Sequence, residues 1–336
     1  MMKAIKKIDK TQRFLIVIIV VYCVIVAMRN PAFLSLTTLF NMVRSAAGTT
    51  ILAMGVLVVM ISGGIDVSFP AVAIFGGYAS LRICMACKIE NLFLTFLISI
   101  VIGILLGLVN AALINLLKLE PFIITLATAS VFFGIMTITI GTKNVGASDL
   151  PAQFRMLSSA KVFTTVNQYG GTIGLSVFII PVVLCVLLTY FILQKTLIGK
   201  GIFAMGCNNE AARRAGFRVT LLRYFVYGYA GFLGGIMGII YIAGTNSVNP
   251  VSLVGTEMSV IACVVIGGAK PSGGYGKIFG TLLGVILYFL FNQTLVYLGL
   301  SASWQDFFMG IVLLFSIIST SYQNRVKNRK NFIYTE

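Results

Sequence analysis

Long uninterrupted apolar segments constrain this chain more than any other feature of its sequence. Residues 92–117, for example, contain no charged side chain. An α-helix needs about 20 apolar residues to cross a hydrocarbon core of roughly 30 Å. Only 10% of all residues are charged, against about 25% in soluble domains. The sequence therefore predicts an all-α, polytopic membrane protein with about ten helices, at residues 14–28, 39–62, 69–86, 92–117, 122–140, 174–194, 224–243, 256–267, 278–298 and 304–321.

The basic residues predict how these helices are oriented. The chain carries 25 Lys and Arg against 9 Asp and Glu, a formal net charge of +16. If the N-terminus is cytoplasmic, most of the basic residues fall on cytoplasmic segments, as the positive-inside rule requires. We therefore expect a multi-pass protein of the cell inner membrane with cytoplasmic N- and C-termini. Topology explains the charge, so no nucleic-acid partner is expected. The N-terminus resembles a signal peptide without a cleavage site, which indicates an uncleaved first helix.

Most residue types that build enzyme sites are scarce. The chain has no histidine, and Cys84 and Cys87 form a lone C-x-x-C without a second pair. A metal site is therefore not expected. The chain also lacks the G-x-x-x-x-G-K-[ST] loop that holds nucleotide phosphates. We expect a non-catalytic chain that binds no cofactor itself.

Residues 195–223 form a basic connection with the layout of a short helix between glycine breaks. Asn208 or Asn209 can cap the N-terminus of this helix, and Glu210 suits the dipole of its first turn. Gly216 can close its C-terminal end. The alanines leave a small, smooth surface. Two interpretations stay open at this point: docking into a groove on a partner protein, or an amphipathic helix lying on anionic membrane lipid.

Several polar residues interrupt the apolar pattern. Asp66, after Gly63 and Gly64, either caps the third helix or lines a cavity, because charged residues at membrane breaks usually reach water. Glu257 either serves the dipole of the eighth helix or lies on a pathway. Four other candidates either line a path or make helix–helix hydrogen bonds and interfacial anchors; they are Asn110, Asn292, Gln293 and Trp304.

The surroundings of Asn110 and Asn292 are similar over six residues. These two residues lie on helices expected to run in opposite directions. Two explanations stay open: an inverted repeat relating helices 2–5 to helices 7–10, as in many transporters, or a chance resemblance between two apolar helices.

Four motifs together resemble the permease subunits of ribose-, galactose- and xylose-type ABC sugar importers. Residues 63–68 resemble a Gly-Gly-Ile-Asp-Leu-Ser signature, although Phe69 and Pro70 replace its usual Val-Gly. Residues 257–276 resemble a second signature rich in glycine, and residues 121–128 match the start of a family helix. The segment from residue 199 matches the coupling loop of these permeases at Gly199, Lys200, Ala204, Gly206, Asn208, Ala211, Ala212 and Gly216.

The resemblance implies one permease domain over residues 1–336 that imports a monosaccharide by alternating access, with a furanose signal or a nucleoside as other solutes. It implies an ABC ATPase subunit that holds ATP and Mg, a second permease copy or paralogue, an extracytoplasmic sugar-binding protein and surrounding membrane lipid. The ATPase-coupling residues would be Gly199, Lys200, Gly206, Asn208, Asn209, Glu210, Ala211, Ala212, Arg213 and Gly216. The pathway or gate candidates would be Gly63, Gly64, Asp66, Asn110, Glu257, Asn292, Gln293 and Trp304.

Two other functions are alternatives to this one. An ion-coupled secondary transporter needs ionisable groups within the membrane, and only Asp66 and Glu257 come near that description. An intramembrane enzyme needs paired acids or a nucleophile with a base, and the sequence offers neither pattern.

Overall fold

The computed structural model describes residues 9–166, 171–301, 303–305, 307–312, 314 and 318. These residues form a bundle of helices with one small antiparallel hairpin, β1 (Lys161–Val166) paired with β2 (Thr172–Ser176). The helices are α1 (Lys10–Arg29), α2 (Leu36–Ile61), α3 (Phe69–Cys87), α4 (Leu92–Leu117), α5 (Pro121–Thr139), α6 (Ala152–Ser159), α7 (Ile179–Lys195), α8 (Leu197–Cys207), α9 (Asn209–Arg214), α10 (Val219–Thr245), α11 (Glu257–Ile266) and α12 (Ile278–Thr294).

The prediction of an all-α, polytopic membrane protein is confirmed. Six helices in the described part of the chain are long and apolar enough to cross a membrane, and a seventh span results if α7 and α8 are counted as one segment bent by 74°. The apolar helices α11 and α12 are shorter. Nine of the ten helices expected from the sequence have a counterpart. The tenth, at residues 304–321, lies partly outside the described residues.

Local signals set the helix boundaries. The Ser35 hydroxyl accepts a hydrogen bond from the backbone N–H of Thr38 at the start of α2, and Asn91 caps α4 in the same way. Such caps satisfy backbone donors that have no partner within the helix. Pro121 opens α5, and Pro70 takes the second position of α3, where its missing N–H costs nothing. The departure at Phe69 and Pro70 is therefore compatible with a regular start to α3.

The bundle has two chemically different ends. The basic end carries residues 62–68, 118–120, 196–218 and 267–277, and the hairpin end carries the connections that include residues 88–91, 140–178 and 246–252. Successive spanning helices alternate between these ends.

Helix α10 is the centre of the bundle, and it packs on α2, α3 and α4. Its contact with α4 is a glycine seam, which we define as Gly103 and Gly107 of α4 with Gly231 and Gly235 of α10. A Cβ on Gly103 would overlap the Gly231 carbonyl oxygen, and a Cβ on Gly231 would overlap the Gly103 carbonyl oxygen. Small residues allow this approach, which drives helix association where lipid removes the hydrophobic effect.

Two sequence expectations need correction. The helix expected from residue 174 begins at Ile179, because residues 172–176 pair with β1 instead. Helix α6 lies in the connection that precedes this hairpin. Gly199 and Gly201 do not break the chain; they lie inside α8, since Thr196 caps this helix and both glycines are packed against neighbouring residues.

Candidate coupling site and permease core

The short helix expected near residues 208–216 is present as α9. The Asn208 side-chain oxygen accepts a hydrogen bond from the backbone N–H of Ala211 at 2.9 Å. Gly216, with φ of +88°, ends the turn that follows, and the N–H of Phe217 donates to the Ala212 carbonyl at 3.1 Å. The capping role predicted for Asn208 or Asn209 therefore belongs to Asn208.

One residue of α9 is buried, and the others are exposed. Ala212 is buried, whereas Asn209, Glu210, Ala211 and Arg213 are exposed. The Glu210 carboxylate lies 3.6 Å from Arg214, but both side chains are well exposed, so this ion pair adds little stability. The exposed face is small and polar, and therefore suits close contact with another surface.

Glycines join this segment to the end of α2. Gly206 in α8 lies against the backbone of Ile61, where a Cβ would overlap the Ile61 carbonyl oxygen. That same carbonyl accepts a hydrogen bond of 2.9 Å from the N–H of Gly274. Gly63 follows with φ of +88°, a conformation that favours glycine.

The loop before α12 completes the contact. A Cβ on Gly273 would lie 2.6 Å from the Gly63 Cα and 2.6 Å from the Gly206 carbonyl oxygen. We call Gly63, Gly206, Gly273 and Gly274 the glycine junction. Three motifs that are far apart in the sequence meet here through backbone atoms.

Asp9, the residue before α1, is bound to the same loop. Lys277 Nζ lies 2.8 Å from Asp9 Oδ2, and the Tyr275 hydroxyl donates to the same oxygen. Partial burial raises the pKa of Asp9, but the hydrogen bonds from Lys277 and Tyr275 and the Lys277 charge outweigh it and leave the pKa below its usual value. Burial, together with the Asp9 carboxylate, raises the pKa of Tyr275 to about 12.

Asp66 lies in a buried polar network just before α3. Its Oδ1 accepts hydrogen bonds of 2.7 Å from both the N–H and the hydroxyl of Ser68. The Asn110 side-chain amide of α4 donates to that hydroxyl at 2.7 Å. Asp66 is thus hydrogen-bonded just before α3, and Asn110 links α4 to the residue that precedes α3. A role of either residue in a pathway stays a prediction.

Glu257 occupies the first turn of α11, as expected. It lines a cavity of about 650 Å³ between α3, α5 and the connection to α11. The other walls are mainly apolar and include Pro70, Phe122 and Met258. The position is compatible with both the dipole role and the pathway role predicted for this carboxylate.

The remaining pathway candidates lie together at the hairpin end. Asn292 donates to Gln305 at 2.6 Å, and Gln293 donates to Ser45 at 3.3 Å. Trp304 is 44% exposed and packs edge-on against Phe307. The eight pathway candidates therefore do not form one cluster. Gly63, Gly64 and Asp66 belong to the basic end, and Asn292, Gln293 and Trp304 to the hairpin end.

Sequence reasoning missed a polar cavity at the basic end. Its walls include Lys118, Glu120, Arg223 and Tyr227, beside Gly63 and Gly64. None of these four stood out in the sequence, because charged residues at helix ends and a tyrosine in an apolar run are common. Only their convergence marks the place.

Known proteins are similar in sequence to this chain over most of its length. A family model described as "Branched-chain amino acid transport system / permease component" matches residues 38–317. The ribose import permease protein of Haemophilus influenzae is 30% identical over 92% of this chain and 94% of its own length. The ribose import permease protein of Bacillus subtilis is 32% identical over 88% of each chain. The galactose/methyl galactoside import permease protein of Salmonella typhimurium is 29% identical over 90% of this chain and 91% of its own length.

No solved structure gives a significant match to the chain. The sequence matches nevertheless extend over almost the whole polypeptide, including the helices that form the glycine seam and the loops that form the glycine junction. The motif resemblance to permeases of ribose- and galactose-type importers is thereby confirmed. The chain belongs to the membrane-embedded family described as branched-chain amino acid transport system / permease component.

Proposed function

We propose that this chain is the channel subunit of an ATP-driven importer that moves a monosaccharide into the cytoplasm by alternating access. ATP and Mg²⁺ would be bound on a separate ATPase subunit, and the chain itself would be non-catalytic. The names of the relatives, which import ribose or galactose, support the substrate class. The glycine junction is the single observation that carries the mechanism.

The junction supports coupling because it offers a stiff path from an exposed helix into the bundle. Helix α9 follows directly after α8, whose Gly206 contacts the end of α2 and the loop before α12 through backbone atoms. Contacts between backbone atoms transmit a displacement directly, because they do not depend on the rotatable bonds of long side chains. A displacement of α9 would therefore move the C-terminal end of α2 and the loop before α12 together. Alternating access by rocking helix groups requires such a joint movement.

The charge distribution supports a cytoplasmic basic end. Residues 195–223 are rich in Lys and Arg, and cytoplasmic connections carry an excess of these residues. In this orientation α9 lies where ATP is available and the hairpin end faces an extracytoplasmic sugar-binding protein. A second permease copy or paralogue would complete the channel.

The test is reconstitution of the full chain with a candidate ATPase and binding protein in proteoliposomes. We expect uptake of labelled ribose or galactose that requires ATP. The Ala211→Glu substitution on the exposed face of α9 should abolish solute-stimulated ATP hydrolysis without loss of membrane insertion. Ala147→Glu is the matched control, because Ala147 is an exposed alanine at the hairpin end. Undiminished uptake in vesicles that lack the ATPase would overturn the proposal.

An ion-coupled secondary transporter is the second candidate, because Asp66 is buried and the ion pairs found among the described residues do not include it. Such a transporter would import solute on an H⁺ or Na⁺ gradient alone, and Asp66→Asn would abolish this uptake. ATP-dependent uptake that persists when both gradients are collapsed would eliminate this candidate.

A further inference from the structure

The polar cavity at the basic end has the charge of an anion site. Its volume is about 510 Å³, and it lies between the connection at residues 118–121, helix α9 and the start of α10. Three cationic side chains line it, from Lys118, Arg213 and Arg223, against one acidic side chain, Glu120. The excess of positive charge predicts an anionic occupant.

Arg223 is held in place without a carboxylate partner. Its Nη1 donates to the Asn115 side-chain oxygen at 3.2 Å, and the Asn115 amide donates to the Thr220 carbonyl. The ion pairs found in the described part of the chain do not include Arg223. A guanidinium has five donors in a planar fork that fits phosphate and carboxylate oxygens. Arg223 is therefore oriented, half-buried and able to bind an anion.

Tyr227 provides a second, independent indication. This side chain is 2% exposed and lines the cavity, and its hydroxyl has no hydrogen-bond partner among the described residues. Buried tyrosine hydroxyls are normally paired. A Cβ on Gly64 would lie 2.8 Å from this hydroxyl oxygen, so glycine at position 64 leaves the space beside it open. A bound group that accepts a hydrogen bond would satisfy the hydroxyl.

The surroundings of the cavity indicate where such an anion comes from. Leu117, Leu119 and Phe122 flank it, and they are 55%, 50% and 40% exposed. Exposed apolar side chains beside the end of a spanning helix mark the rim of the lipid-facing surface. Basic pockets between spanning helices bind the headgroups of anionic lipids. We propose that this cavity binds the phosphate group of an anionic phospholipid, with Lys118, Arg213, Arg223 and Tyr227 as its donors.

A bound lipid would connect two parts of the permease that are displaced in the proposed coupling mechanism. Arg213 belongs to α9, whereas Gly63 and Gly64 follow α2, and all three line the same cavity. A lipid phosphate held there would stiffen α9 against the bundle. The site itself requires neither a particular solute nor an ATPase, so it can be tested on the purified chain.

Native mass spectrometry of the full-length protein in detergent tests the site with added phosphatidylglycerol and, separately, phosphatidylcholine. We expect one retained phosphatidylglycerol and a preference over phosphatidylcholine. Arg213→Gln should weaken its binding about fivefold, the effect of one basic residue near an anionic lipid. Arg214→Gln is the matched control, because this neighbouring arginine is not part of the cavity wall. Equal losses in both variants would overturn the proposal.

Three further variants keep the test independent of folding defects. Tyr227→Phe removes only the unpaired hydroxyl, so the protein should remain monodisperse while phosphatidylglycerol binding falls several-fold. Glu120→Gln removes the one acidic group and should strengthen binding. Inorganic phosphate and glucose 6-phosphate serve as soluble probes. Binding of either probe at this cavity with no retention of phosphatidylglycerol would overturn the lipid source, as would unchanged lipid binding in Tyr227→Phe and Arg223→Gln together.

Discussion

Glycine brings backbones together in two regions of this molecule, and the two regions differ in what is joined. The glycine seam joins the interiors of two long helices, α4 and α10, and Gly103 and Gly231 are there in direct contact. The glycine junction joins loops and helix ends, where Gly63, Gly273 and Gly274 have positive φ values. The seam sets the distance between spanning helices, whereas the junction holds the ends of three segments together.

We therefore expect the seam to determine the stability of the fold and the junction to determine coupling to the ATPase. A side chain added in the seam would displace two whole helices, because protein interiors are close-packed and cannot adjust locally. Overlap in the junction can be relieved by a local shift of loops, at the cost of the backbone contacts that connect α8 to α2. Substitutions in the seam should therefore reduce the yield of folded protein, whereas substitutions in the junction should reduce coupling.

Substitution of Gly103 by Leu should have the largest effect. The side chain would be forced into the Gly231 backbone, and we expect a loss of more than about 3 kcal/mol in stability. The measurement is the yield of monodisperse protein after detergent extraction. Gly134→Leu is the control, because a Cβ on Gly134, in α5, meets nothing within 4 Å. Equal yields of the two variants would contradict the role of the seam.

Substitution of Gly206 by Val should break the junction instead. We expect normal insertion and yield, with solute-stimulated ATP hydrolysis in the reconstituted importer reduced at least tenfold, an effect of about 1.4 kcal/mol or more on the coupled step. Gly134→Val provides the control of equal size in open space. If Gly206→Val were lost from the membrane as fully as Gly103→Leu, the distinction between the two regions would fail.

Removal of the α9 cap should have a moderate effect. Asn208→Ala deprives the N–H of Ala211 of its partner, which costs about 1 kcal/mol of local helix stability. We expect partial loss of coupling at unchanged yield, and recovery with Asn208→Ser, since serine also caps helices. Asn209→Ala should retain coupling better, because its neighbour provides the cap. The readout is the ratio of solute-stimulated to basal ATP hydrolysis.

Removal of the ion pair between Asp9 and Lys277 should have the smallest effect. Both side chains are more than a third exposed, so Asp9→Asn should cost less than about 1 kcal/mol. The pKa of Asp9 is lowered in the folded protein, so the stabilisation is complete above the ordinary pKa of 3.8 and is lost as pH falls through the lower folded value. Thermal unfolding should show a Tm difference from wild type at pH 7 that disappears at pH values below this range. A difference that grows on acidification would contradict this role of the ion pair.

The spanning helices could be predicted from the sequence because each is a continuous apolar run. Residues 92–117 were expected as one helix, and α4 has these bounds. The short helix at α9 was also expected, since a cap residue and a closing glycine are local signals. The hairpin at residues 161–176 was not expected: its residues were assigned partly to a helix because strand pairing depends on a partner rather than on composition.

The site was predictable only in part. Glycines at 63, 206 and 273–274 appeared in three separate motifs, and nothing in their spacing indicated that they touch. Arg223 and Tyr227 did not stand out, because their significance depends on the side chains brought beside them. Asn110 was one of several polar candidates, and its hydrogen bond to Ser68 depends on how α4 packs beside the start of α3.

Local sequence was enough to indicate that this chain lies in a membrane, which apolar segments form its spanning helices, and which segments are basic. These properties follow from transfer of apolar residues out of water and from local capping, and each depends on residues close together in the chain. Tertiary packing brings three glycine motifs into one junction and places cations from the connection after α4, from α9 and from α10 around one cavity. Such contacts arise when helices pack, because the space that each glycine leaves can be filled only by backbone from a distant segment.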